Sequence, residues 1–225
     1  MNLILLAIAP ICAILLYIYI QDKYEKEPRG LLIINFLLGA IVSIIIVLIL
    51  YLFTGKFIPL TDEFSVMQQF IQAFIVVALS EEFSKYIIVK YFAQPKKAFN
   101  EPYDGIIYAV MVSMGFACTE NIMYVIQGGY ETAILRAFTA VPAHATFGIL
   151  MGYFMGKAKF SQNRFLLNMA GLFLAVLFHG AYDFFLFINF IPGISIGAFV
   201  SLILGIVLSR KAIKRHQENS FFKSL

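Results

Sequence analysis

Apolar residues in this chain run in long unbroken stretches, ended by clusters of charge or by proline and glycine, instead of alternating with polar ones. A run of about 18 residues or more, at about 1.5 Å per helical residue, matches the hydrocarbon core of a bilayer. Closing the runs at charges and turn residues predicts seven spans, over residues 3–20, 31–53, 67–92, 104–126, 135–156, 165–187 and 192–209. The connections are short and carry turn residues, such as Gln127-Gly128-Gly129-Tyr130 and Ile191-Pro192-Gly193. The expected fold is therefore an all-α polytopic membrane protein of about seven transmembrane helices. Residues 1–209 read as one domain and 210–225 as a basic tail, with no internal repeat.

Charge placement gives the chain a direction. Lys23, Lys26 and Arg29 follow the first span, Lys90, Lys96 and Lys97 the third, and Lys157, Lys159 and Arg164 the fifth. Arg210, Lys211, Lys214, Arg215 and Lys223 follow the seventh. Against these fourteen stand only Lys56 and Arg136 on the other side, with Lys85 inside a span. The positive-inside rule then predicts a cytoplasmic C-terminus and an external N-terminus, and six spans would break the alternation. Composition agrees: 61% of residues are hydrophobic and 13% charged, where soluble domains have roughly a quarter charged. No soluble basic face exists to bind nucleic acid. The chain opens on apolar sequence with no basic n-region, so the first span is expected to be retained. Cys12 and Cys118 lie in apolar runs and are read as small buried residues.

Against this background the ionisable residues inside the spans stand out, because each costs about 2.5–3.5 kcal/mol on insertion scales. Span three carries Ser80-Glu81-Glu82-Phe83-Ser84-Lys85, span four Glu120-Asn121, span five His144 and span six His179-Gly180-Ala181-Tyr182-Asp183. Lys85 lies four residues after Glu81 and three after Glu82, so one ammonium can reach both carboxylates. A single structural ion pair would need only one of them. His179 and Asp183 are also four apart, which suits a carboxylate that orients an imidazole. Gly171, Ala175, His179 and Asp183 form one stripe, and His144, Gly148, Gly152 and Gly156 another. Small residues in such stripes let a neighbouring helix approach closely. Counted from the predicted cytoplasmic ends, Glu81, His144, His179 and Glu120 lie at similar depths, roughly 16 to 24 Å in. Carboxylates and imidazoles brought together in this way can activate water and stabilise an oxyanion.

These residues, with Asp22 to Pro28, Asn100-Glu101-Pro102-Tyr103-Asp104-Gly105 and Arg136, closely resemble the PrsW family of bacterial intramembrane proteases. That family is related to the CAAX-processing and bacteriocin-immunity membrane proteases. The resemblance implies a multi-pass protein of the bacterial cell membrane, in contact with lipid. It also implies an enzyme making the first cut in a membrane-anchored anti-sigma factor or a similar single-span protein. Glu81 and Glu82 match the family's essential glutamate pair and His179 an essential histidine. The CAAX relatives carry F-x-x-x-H and H-x-x-x-N where this chain has Phe116-x-x-x-Glu120 and His179-x-x-x-Asp183.

Two mechanisms fit the residues. In one, Glu81 or Glu82 with a histidine activates water and no metal is needed. His144, His179 and Glu120 complete the catalytic set, and Lys85, Asp183 and Asn121 support it. In the other, Glu120, His144 and His179 hold zinc while a glutamate serves as base. The absence of an H-E-x-x-H motif favours the first. From another class, a proton-coupled transporter would also place Glu, Lys, His and Asp within the membrane, although such proteins often show repeats and broken helices.

Overall fold

Asn2 starts the first helix: its side-chain oxygen accepts the Ile4 amide at 3.0 Å, satisfying one of the donors that a helix start leaves open. The structure is a computed structural model that describes residues 2–223, and all regular structure among these is helical. Helix α1 spans Leu3–Gln21. Helices α2 (Arg29–Leu37) and α3 (Ile44–Phe57) are joined without a break by π-helical turns at Leu38–Ser43. Likewise α4 (Val66–Ile71) passes through π-helical turns at Gln72–Ala78 into α5 (Leu79–Ile88) and a last wide stretch at Val89–Ala93. Then come α6 (Pro102–Phe138), α7 (Ala140–Lys159), α8 (Arg164–Phe187) and α9 (Ile196–Glu218).

By length and composition, five helical stretches among the described residues could cross a membrane: Leu3–Gln21, Arg29–Phe57, Pro102–Lys159, Arg164–Phe187 and Ile196–Glu218. The Pro102–Lys159 stretch contains both α6 and α7, which meet at the non-helical Thr139. The stretch from α4 through α5 is not among the five, and it carries Glu81, Glu82 and Lys85 in its middle. Large apolar side chains such as Leu52, Phe53, Phe138 and Phe165 are exposed, far more than a water-facing surface tolerates.

The centre of the bundle is the first part of α6. Asp104 accepts the amides of Asn100 and Glu101 at 2.6 and 2.7 Å, and Pro102 occupies the first turn, so the helix start is capped. From Pro102 to Cys118 all but Met111 are buried, so helices surround α6 on every side. Glycine makes that possible. A Cβ on Gly152 would lie 2.3 Å from the Gly105 carbonyl oxygen, and one on Gly115 would lie 2.0 Å from that of Phe36. Helix α6 is sharply broken at Gly129, whose φ of 71° is in the left-handed region that favours glycine. After the break the chain turns back, so that Val125 and Ala133 pack together against Ala7.

Cys118 is buried as expected, but Cys12 is exposed. Helix α1 is peripheral: Ala7, Ile11 and Ile18 face inward, while Cys12 shares the outward face with Leu16 and Ile20. Helix α9 continues past residue 209 with Ala212, Ile213 and His216 buried, so there the backbone does not change where the charge does.

Candidate active site

Helix α5 supplies the charged core of the site. The helical spacing places Lys85 Nζ 2.7 Å from Glu82 Oε1 and 3.5 Å from Glu81 Oε2, so one ammonium faces both carboxylates as the spacing predicts. All three side chains are buried, and Lys85 also lies over the Phe116 ring at 4.2 Å from its centroid. Ser84 ties the helix by donating to the Glu81 carbonyl at 2.7 Å and contacting Ser43.

Both histidines arrive from other helices. His179 on α8 sets Nδ1 2.8 Å from Glu82 Oε1 and Nε2 3.2 Å from Asp183 Oδ2, with Glu81 Oε2 4.0 Å from the same nitrogen. Each ring nitrogen donates when both close contacts are made, because ionised carboxylates can only accept. Phe147 stacks on the imidazole at 4.7 Å between centroids and fixes its plane. His144 on α7 sets Nδ1 3.4 Å from Lys85 Nζ and Nε2 2.9 Å from Glu120 Oε2. An ammonium has no lone pair, so Nδ1 accepts and Nε2 donates to Glu120. The turn at Gly129 brings Arg136 back to Glu120 at 2.7 Å and to Asn121 Oδ1, also at 2.7 Å.

The structure thus brings together Glu81, Glu82, Lys85, Glu120, His144, His179 and Asp183. Asn121 stands apart from the histidines and ties Arg136 to the Ala7 carbonyl of α1. A cavity of about 520 Å³ opens onto this cluster, lined by Tyr51, Glu81, Glu120, His144, His179 and Asp183 among others. Glu82 and Lys85 do not line it, so the two adjacent glutamates have different surroundings: Glu81 faces space and Glu82 faces protein. Tyr51, Phe147 and the returning Arg136 also line the cavity, and the spacing of the charged residues does not point to them. Tyr51 is a lone phenol on an apolar helix, and no spacing relates it to the acidic residues.

The group that could hold a metal is Glu81, Glu82, His144 and His179, whose ligand atoms lie within 4.8 Å of one another. Two imidazoles and two carboxylates form a donor set suited to zinc. Glu81 Oε2 and Glu82 Oε2 are buried without a hydrogen bond, leaving acceptor capacity for a cation. Glu120, expected as a ligand, lies outside this group and pairs with Arg136 and His144.

Away from the site, the loop after α1 buries Asp22 and Glu27. Burial pushes the Asp22 carboxyl up to about 7, partly opposed by Lys26. Burial, with Asp104 alongside, pushes Glu27 well above the usual carboxylate range, and Tyr108 donates to it.

A helical membrane fold with one buried glutamate and two buried histidines around a single cavity suits an intramembrane peptidase, and the relatives belong to that class. A profile described as "PrsW family intramembrane metalloprotease" matches residues 27–209. "Protease PrsW" of Oceanobacillus iheyensis is 43% identical over 180 residues, covering 80% of each chain. That of Geobacillus kaustophilus is 41% identical over 187 residues, covering 82% of this chain and 80% of its own. That of Bacillus subtilis is 38% identical over 181 residues, covering 80% of each. No solved structure matches. The chain belongs to the PrsW family of intramembrane proteases, as a multi-pass bacterial membrane protein.

Proposed function

We propose that the chain makes the first cut in a single-span membrane protein, of the kind represented by a membrane-anchored anti-sigma factor, using water activated by Glu81. The observation that carries this reading is the difference between the two glutamates: Glu81 lines the cavity and Glu82 does not. A water in the cavity beside Glu81 would give its proton to that carboxylate while its oxygen attacks the scissile carbonyl. His179, which carries a proton on each ring nitrogen when held between Glu82 and Asp183, lines the same cavity and stabilises the oxyanion that develops. As the C–N bond breaks, Glu81 returns the proton to the leaving amine. Glu82 and Asp183 hold His179 from either side, and Lys85 balances the buried carboxylates.

The second reading is a zinc enzyme, favoured by the four-residue ligand group and its two carboxylate oxygens that make no hydrogen bond. Glu81, Glu82, His144 and His179 would hold the ion, which when bound supplies Lewis acidity and a more acidic water. A proton-coupled transporter finds no support among relatives that are proteases.

In the membrane we infer seven passes, with the N-terminus outside and the C-terminus in the cytoplasm. A phosphatase fused to the C-terminus should be inactive, and activity there would reverse the orientation. Purified protein in detergent should cut a single-span candidate substrate. Metal content and chelator inhibition, measured on that active sample, choose between the two mechanisms.

A further inference from the structure

We propose that Tyr51 is a positioning residue for Glu81, an inference that rests on the reading of Glu81 as the base. Its phenol donates to Glu81 Oε1 at 3.0 Å. Glu81 Oε2 has no hydrogen-bond donor and is turned toward Lys85 and His179, at 3.5 and 4.0 Å. The two oxygens are therefore distinct: one is held by the phenol, and the other is buried beside Lys85 and His179 with no hydrogen bond of its own. The last torsion of a glutamate is broad, so without a donor on Oε1 the carboxylate would be free to turn.

The helix that carries Tyr51 makes a packing role a poor account of the residue. Helix α3 buries only Val47, and its apolar side chains Ile45, Ile49, Leu52 and Phe53 are exposed and lie outside the cavity lining. Its other hydroxyl, on Thr54, is used within the helix, on the carbonyls of Leu50 and Tyr51. Tyr51 alone on α3 sends a polar group into the cluster. A hydroxyl in such surroundings carries a desolvation cost unless it is bonded, and phenylalanine would fill the space without that cost. Tyr51 and Gln72 also line a second cavity, beside Thr54, Pro59 and Thr61, so the phenol stands where that cavity meets the one at the site.

The test compares Tyr51→Phe, Tyr51→Leu and Glu81→Gln with the native chain, on a single-span substrate that the native chain cleaves. If the hydroxyl positions Glu81, Tyr51→Phe lowers kcat about ten- to hundredfold, with KM within about twofold and an unchanged melting temperature. Tyr51→Leu is then at least as impaired. Native kcat in Tyr51→Phe overturns the inference, whatever Tyr51→Leu does. So does a loss in Tyr51→Phe that comes with a raised KM or a lowered melting temperature, the signature of packing. Full cleavage by Glu81→Gln would instead remove the base assignment on which the inference stands. An inactive Glu81→Gln beside a fully active Tyr51→Phe would remove the inference alone.

Discussion

Lys85 and Glu82 lie one turn apart on a single helix, with Nζ and Oε1 2.7 Å apart and both side chains buried. Neither charge could be left alone there, because an unpaired charge in the interior keeps its desolvation penalty and loses its compensation. Lys85→Met should therefore destabilise the protein by about 3–5 kcal/mol. Lys85→Met combined with Glu82→Gln should recover part of that loss, since the second change removes the stranded charge. Thermal melting in detergent measures both, and a double variant no more stable than Lys85→Met would show that the two residues are not coupled.

His179 and Asp183 offer a test of catalytic pairing. Asp183→Asn should reduce turnover strongly, but less than His179→Ala, because an amide oxygen can still accept from Nε2 while the charge is gone. Residues acting as one unit are not additive, so the double variant should be no worse than His179→Ala. Losses that multiply would mean the two residues act separately.

The packing of α6 on α7 can be probed at one atom. Gly152→Ala drives a methyl against the Gly105 carbonyl and the Ile106 Cα, both backbone, which cannot swing aside. Overpacking of this sort costs about 1–3 kcal/mol, and the melting temperature should fall accordingly. Gly55→Ala, also within a helix but where a methyl meets nothing within 4 Å, should not lower it and serves as the control.

A pH dependence follows from Asp22. Its carboxyl moves from an ordinary 3.8 to about 7 in the fold, so the folded state favours the protonated form. Stability from this group is fully present below about pH 4 and is lost as pH rises toward 7. Asp22→Asn cannot ionise. Relative to the native chain it should therefore gain stability on going from pH 4 to pH 8, as read by melting temperatures in detergent. A difference that does not change over that range would mean Asp22 is not held protonated by the fold.

What the sequence discloses about the site is set by the helical repeat. The contacts of Lys85 with Glu81 and Glu82, the His179–Asp183 pair and the glycines facing α6 all follow from intervals of three or four residues. The contact of His179 with Glu82 joins residues 97 positions apart, and no local pattern encodes it. Nor does adjacency in sequence tell Glu81 from Glu82, since only the packed bundle decides which of them meets the cavity. The exposure of Cys12 escapes the sequence for a related reason: an apolar run gives the solvent of a helix, but not which of its faces touches protein.

The reversal at Gly129 bears on how the protein is made. Along a straight helix, residues 120 and 136 would stand about 24 Å apart, yet the Arg136 guanidinium meets the Glu120 carboxylate at 2.7 Å. Both partners belong to one short hairpin of the nascent chain. This half-buried acid therefore has its counter-charge as soon as residue 136 is in place, without waiting for α7, α8 or α9 to be synthesised.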